Sequence, residues 1–504
     1  MQQIDKIFLI YPPSTQAAIV SHALACVPPL GIAYLGSFLK NNYEIKLLDS
    51  TTEGNRNIKN LGNDLLKIGL PEEEIVKRIS DYSPNVVGIT CLSSSQMPFI
   101  RKICQLTKEI NPKIITIIGG THPSFLPKET LGEKSIDFII LGEGEETLQS
   151  LLKRLESEQD FTDLDGIAFR RDSQVQVNPK TRYIKNLDDL PFPAWELLPM
   201  ERYSAFNIPM SIYCKSRYWA PIITSRGCTA KCTFCSSTTF WGNHYRARSP
   251  NYVLDEIELL IKEYKIKEIQ FLDDNLILDK ERAQEIFQGI IDRKLNIFWN
   301  TPNGIAPWKL DEDLLKLMKS SGCYELTLAI ESGDQEVLSK IIRKPLNLKQ
   351  VESVTKIIQK LKIRTHAFFI VGFPGETKEQ IYRTFSFARK LRLTSAWFFI
   401  ATPLPGSELY DMFKNKGCLK EGFDFETINY NKLNFETSDF TSQELVTVLA
   451  REAFTFNLSV LFRNPILFFQ RYILFLITNP LLSIKLLIYS GISVIKIFFL
   501  RRSF

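Results

Sequence analysis

The chain has 504 residues, 44% of them hydrophobic and 23% charged, with 25 Pro and 24 Gly. That composition excludes a disordered chain, a collagen and a coiled coil, and the length predicts more than one domain at roughly 150 residues each. A net charge of +6 on so long a chain argues against nucleic acid as a partner. The excess is localised: residues 455–504 hold Arg463, Arg471, Lys485, Lys496, Arg501 and Arg502 and no acidic residue.

From the N-terminus, Met1-Gln2-Gln3-Ile4-Asp5-Lys6 runs straight into a short apolar segment, without the basic and long apolar regions of a secretory signal. Nine cysteines, few and odd in number, do not suggest a disulfide framework. Both features predict a cytoplasmic protein. Residues 7–10 read as a strand, 30–41 as a helix after Pro28-Pro29, 44–48 as a strand, 72–82 as a helix and 85–90 as a strand. A helix over 96–110, a strand over 113–118 closed by Gly119-Gly120, and a strand over 136–141 follow. After Gly142-Glu143-Gly144-Glu145 a helix runs to Glu156. This alternation predicts a doubly wound, Rossmann-like parallel sheet over residues 1–156, its ligand site at the C-terminal strand ends.

Residues 157–215 break the rhythm, with a small hairpin at 166–170 and 175–177 and a Pro-punctuated linker at 187–195. A second strand–helix series fills 216–416, with strands at 222–224, 268–272, 297–299, 325–329, 366–371 and 396–402. Six such units predict a partial (β/α)6 TIM-like barrel, again with its chemistry at the C-terminal strand ends. Residues 417–454 read as an extension and 455–504 as an apolar, basic helical tail.

Directly after the first barrel strand stands Ser225-Arg-Gly-Cys228-Thr-Ala-Lys-Cys232-Thr-Phe-Cys235. Three thiolates at these intervals fold one loop around a single soft-metal site, zinc or iron–sulfur. Zinc would need His244 or Cys214 as a fourth ligand; an iron–sulfur cluster with three ligands keeps one iron open. The loop resembles that of the radical S-adenosylmethionine (SAM) superfamily, including the aromatic Phe234 before the last cysteine. The resemblance implies a [4Fe-4S] cluster on Cys228, Cys232 and Cys235, its open iron binding the amino and carboxylate groups of SAM. Further matches fall at strand ends. They are Asp273 and Asp274 near the SAM amino group, Glu331 and Ser332 near its ribose and carboxylate, and Gly372 to Gly375, before Glu376, on the adenine side.

The first domain resembles the cobalamin (B12)-binding domains fused to such barrels, on Pro28-Pro29-Leu30-Gly31, Asp49, 85–90, Gly119-Gly120-Thr-His122 and Gly142-Glu143-Gly144-Glu145. The implied corrin contacts are Gly119, Gly120, Gly142 and Glu143, with Ser93, Ser94 and Ser95 hydrogen-bonding its amides. The Asp-x-His-x-x-Gly segment that supplies an axial histidine in methionine-synthase-like domains is absent, and His122 reads as a hydrogen-bonding residue within its turn.

The resemblance implies a radical SAM enzyme, a cobalamin-dependent methyltransferase acting on an unactivated carbon and drawing electrons from an external donor such as flavodoxin or ferredoxin. Cobalamin-dependent cyclisation, rearrangement or oxygenation is the alternative within the class. A methylthiotransferase would carry a second cluster on Cys26, Cys91 and Cys104, which read instead as buried structural thiols. A purely electron-transferring iron–sulfur protein would have no need of the SAM-contact segments. In the tail, Lys485 and Lys496 fall three turns apart on one helical face. That pattern suggests a helix lying on the anionic inner face of a membrane, and with it peripheral membrane contact through 455–504 and a lipid-like small-molecule substrate. The alternatives are a helix over 481–500 that spans the membrane with both lysines reaching to its surface, and a hairpin packed on the barrel.

Overall fold

The computed structural model describes residues 3–17, 26–62, 65–211, 213–428 and 433–466. The N-terminal alternation builds one seven-stranded sheet in the order Gln174–Asn178, Ile167–Arg171, Phe138–Ile140, Ile115–Gly119, Val86–Thr90, Lys6–Tyr11 and Glu44–Asp49. The five strands from Glu44–Asp49 to Phe138–Ile140 pair in parallel. Helices cover both faces, so the central strands are apolar on both: Ile7 and Leu9 enter one core, Phe8 and Ile10 the other. Strand order reverses between Lys6–Tyr11 and Val86–Thr90, which opens a crevice above Tyr11 and Thr90.

The hairpin expected in the linker instead completes this sheet, Ile167–Arg171 pairing antiparallel with Phe138–Ile140. Ile167, Ala168 and Phe169 are fully buried, a degree of burial no isolated hairpin can provide. A second sheet, of Ser14–Ala17, Leu65–Ile68 and Ile58–Gly62, has no counterpart in the sequence reading.

In the second half, Trp219–Ile222, Glu268–Phe271, Phe298–Ile305, Cys323–Glu331, Arg364–Val371 and Ser395–Ile400 lie side by side in chain order and all parallel. This is the expected partial barrel. Side chains alternate across its wall. Ala367, Phe369 and Val371 are buried under the helices, and Phe398 meets Phe385 and Phe456 from that layer. Phe368, Trp397 and Phe399 therefore face the barrel interior, where Phe368 stacks on Trp397 with centroids 5.6 Å apart.

The two sheets present their C-terminal ends to one another. Gly406 has φ +77°, and a Cβ there would lie 2.5 Å from the Phe125 ring of the first domain, so the barrel's final loop needs glycine at this position. Arg101 and Glu426 form a two-pronged ion pair at 2.6 and 2.5 Å. The last described helix, Ser442–Arg463, packs behind the sixth strand through Phe456 on Phe398, 5.6 Å apart. The expected Lys485 and Lys496 face lies outside the described residues.

Candidate functional site

The cysteine loop is closed at its base by a two-residue ladder, Ser225–Arg226 against Arg246–Ala247. Gly227 has φ +85°, and a Cβ there would sit 2.2 Å from the His244 carbonyl oxygen; only glycine lets the base close. The loop is pinned again at Thr233, whose N–H and hydroxyl donate to the carbonyls of Ile342 (3.1 Å) and Ile341 (3.0 Å).

All three loop thiols are half-buried. Ala230 N–H points at Cys228 Sγ and Ser237 N–H at Cys235 Sγ, each at 3.4 Å. Burial pushes the thiols up, Cys232 to about 12 and Cys235 to about 11, so thiolate forms there in exchange for a metal–sulfur bond. Cys232 lies within electrostatic reach of Cys235 and Cys228, and Cys235 within reach of Cys228. Among the described residues no three His, Cys, Asp or Glu side chains stand in closed metal-ligand geometry; the fit to a three-thiolate cluster rests on donor chemistry and mutual proximity. The fourth zinc ligand is not in place: Cys214 is buried beside Glu268 and Gln270, and His244 is exposed. Cys26 lies in one core and Cys91 and Cys104 in another, which removes the second cluster of a methylthiotransferase.

Asp273 Oδ1 accepts from Thr224 N–H (3.1 Å), Thr224 Oγ1 (2.7 Å) and Ser225 Oγ (2.5 Å), tying the second strand to the start of the cysteine loop. Its Oδ2 and the Oδ1 of Asn275 are buried without partners. Two orphaned acceptors at the root of the cysteine loop, Asn275 within reach of Cys228, fit an ammonium group such as that of SAM. Asp274 is exposed and accepts from Ser237 Oγ at 2.7 Å. Neither aspartate caps a helix, since Asp279 caps Lys280–Asp292.

At the end of the fourth strand, Glu331 has φ +69°, a left-handed backbone that costs a non-glycine residue of order 1 kcal/mol. Its carboxylate accepts from Lys344 Nζ at 2.7 Å, both side chains being buried. Lys344 also acts electrostatically on Cys232 and Cys235. It was missed in the sequence, where Arg343-Lys344 looks like any exposed basic pair. Ser332 departs from expectation: it is fully buried, 3.1 Å from Thr384 Oγ1 and accepting from Asp334 N–H. It therefore braces the following turn rather than facing the cleft.

Gly372 and Gly375 both have positive φ, +90° and +94°, and the turn they make is clamped by Glu376, which accepts the N–H groups of Gly372 (2.6 Å) and Phe373 (3.0 Å). Phe234 sits 6.4 Å from the Phe373 ring, joining this turn to the cysteine loop. Burial pushes the Glu376 carboxyl from 4.5 up to about 8. Between those values the folded protein binds the extra proton, so this group's stabilisation is full at low pH and is lost as pH rises towards 8. Glu376→Gln is expected to flatten the fall in melting temperature across that window; an unchanged slope would refute the assignment.

In the first domain, exposed Leu92 and Ser93 stand at the tip of the crevice. Ser93 and Ser95 hydroxyls are 2.9 Å apart, and Ser94 Oγ lies 2.8 Å from His122 Nδ1. His122 thus bonds across to the neighbouring loop rather than within its own turn. An exposed leucine flanked by hydroxyls fits the apolar edge and amides of a corrin. Gly120, with φ +105°, is required by packing: its Cβ would lie 2.5 Å from the Cys91 carbonyl oxygen. Gly119 has ordinary space, and a Cβ on Gly142 would meet the Phe240 carbonyl oxygen at 3.3 Å. Glu143, expected among the corrin contacts, is committed elsewhere. It is buried and holds Arg226 and Arg246 of the barrel, because its loop faces the second domain.

Residues 17–152 match a family model described as the B12 binding domain, and residues 222–388 one described as the radical SAM superfamily. The chain is 36% identical over 453 residues to the cytidylyl-2-hydroxyethylphosphonate methyltransferase of Streptomyces wedmorensis, covering 84% of this chain and 83% of that one. It is 31% identical over 410 residues to the anaerobic magnesium-protoporphyrin IX monomethyl ester cyclase of Rubrivivax gelatinosus, covering 80% and 69%. A solved structure of the radical SAM methyltransferase TsrM from Kitasatospora setae, with tryptophan and a SAM analogue bound, matches with a TM-score of 0.62 at 17% identity, covering 78% of this chain and 72% of that one.

Proposed function

Because this chain belongs to the radical SAM superfamily, in the class that joins a B12-binding domain to the barrel, we propose that it is a cobalamin-dependent methyltransferase acting on an unactivated carbon of a lipid-like small molecule. The observation that carries this reading is the meeting of the two sheets at their ligand-binding ends, with the cysteine loop between them. When bound, the cluster, SAM and cobalamin supply electron transfer, a carbon-centred oxidant and a methyl carrier, respectively. The chain's part is placement. Cys228, Cys232 and Cys235 would hold the cluster, Asp273 and Asn275 the SAM ammonium, and the 92–95 loop the corrin edge. Phe368, Trp397 and Phe399 supply an apolar wall that excludes water and favours a flat or hydrocarbon substrate. A flavodoxin or ferredoxin would deliver the electron.

The reading includes contact with the inner face of an anionic membrane. Ser442–Arg463 is the one described helix long and apolar enough to cross a bilayer, but Glu452 on it binds Arg389 at 2.7 Å, so it is held against the barrel. Phe454, Leu458 and Phe462 stand exposed at four-residue intervals along it, one stripe leading to basic Arg463, and Ile466 is exposed just beyond its end. Phe462→Glu with Phe454→Glu is expected to reduce sedimentation with phosphatidylglycerol vesicles by about tenfold; equal binding by the variant removes this part of the proposal.

A cyclase is the second reading, favoured by the Rubrivivax gelatinosus relative. Anaerobic reconstitution with iron, sulfide and hydroxocobalamin, followed by incubation of cell extracts with methyl-labelled SAM, separates the two. A product carrying the labelled methyl supports methylation. Consumption of SAM with unlabelled, ring-closed product supports the cyclase. No corrinoid absorbance after reconstitution would overturn both.

A further inference from the structure

One carboxylate from the first domain holds both ends of the cysteine loop. Arg226 stands two residues before Cys228; Arg246 stands where the loop returns, and the two face each other across the ladder at its base. Glu143 Oε1 accepts from Arg226 at 2.9 Å and from Arg246 at 2.6 Å, while its Oε2 accepts the Ile184 N–H at 3.0 Å. Arg226 reaches Glu145 as well, at 2.7 Å. Two cations and two carboxylates thus neutralise one another almost out of water, the Arg226 and Glu143 side chains being 7% and 1% exposed. The Arg226 guanidinium also lies 5.5 Å from the Tyr34 ring of the first domain and 5.3 Å from the Trp241 ring of the second.

A buried charge network of this kind adds little net stability compared with apolar packing, but its planar, multiply bonded guanidinium forks admit one geometry. Apolar contact already joins the domains, for example Phe125 on Gly406. The charges sit instead at the root of the loop that carries the three thiols.

We propose that Glu143 is a positioning residue. It staples both ends of the cysteine loop to the end of the Phe138–Ile140 strand, and so sets the cluster ligands in register with the corrin-facing end of the first domain. The staple touches no reacting group. It goes beyond the methyltransferase reading, because it is a property of the chain that can be measured without any cofactor.

Hydrogen–deuterium exchange on the full, cofactor-free chain tests it. In Glu143→Gln, amides between 227 and 245 are expected to exchange about tenfold faster, with Val86–Thr90 and Arg364–Val371 unchanged. Glu145→Gln, which loosens Arg226 alone, is expected to give a smaller rise confined to the same loop. In reconstituted Glu143→Gln the electron paramagnetic resonance signal of the reduced, SAM-bound cluster is expected to broaden, and SAM cleavage to outrun product formation. Loop exchange within twofold of wild type overturns the proposal. So does acceleration spread evenly through both sheets in Glu143→Gln together with an unaltered loop in Glu145→Gln, since the contact would then be general packing.

Discussion

Replacing any one of Cys228, Cys232 and Cys235 by alanine is expected to give a folded chain that still takes up corrinoid but cleaves SAM roughly a thousandfold more slowly or not at all, the electron carrier being lost. The thiols are half-buried on a loop, so truncation removes little packing and should cost only about 1 kcal/mol of stability. Iron content and the reduced-cluster resonance signal measure the loss directly. The same substitution at Cys26, Cys91 or Cys104, each buried in a core, should do the reverse, lowering the melting temperature while iron content stays at the wild-type value. A Cys228→Ala chain with wild-type iron and SAM cleavage would dismiss the cluster assignment.

The second large effect is expected at Lys344. Lys344→Met removes the partner of Glu331, whose side chain is 6% exposed, and a buried carboxylate deprived of its cation costs about 3 to 5 kcal/mol. Adding Glu331→Gln should recover a large part of that, because the orphaned charge goes with it. Removing a cation that acts on Cys232 and Cys235 should also make the cluster harder to reduce. Urea denaturation of the single and double variants, and a redox titration of the loaded protein, test the two halves separately. If the single variant is destabilised by less than about 1 kcal/mol, the pair is not the buried, mutually dependent unit described.

Long apolar segments were legible in the sequence, and pairwise side-chain contacts were not. The strands of the first sheet stood out because parallel strands covered on both faces are continuous runs of Ile, Val, Leu and Phe, and alternation with helices marked both sheets as parallel. The small sheet of Ser14–Ala17, Leu65–Ile68 and Ile58–Gly62 was hidden because Ser14-Thr15-Gln16 and Lys59-Asn60 carry no strand pattern; non-local pairing makes them strands. The cysteines were legible because ligand spacing is itself a signal. Arg226, Arg246 and Lys344 were not, since a cation bound to a buried glutamate 13 to 103 residues away along the chain reads in one dimension like any surface charge. Glu143 misled for the same reason: a glycine-flanked acid at a strand end suits a ligand and a domain contact equally, and only the fold decides.

Glu331 carries a consequence for how this chain can be changed. Its positive φ is relaxed by glycine or asparagine, and either exchange also removes the buried carboxylate. A library selected for heat resistance alone would therefore be drawn towards those residues at position 331, most readily in clones where Lys344 has become apolar as well. The clones that survive such a selection would be sturdier proteins with a diminished ability to load and reduce the cluster. Anyone breeding this chain for durability should score turnover in the same round, because at this position the two traits pull in opposite directions.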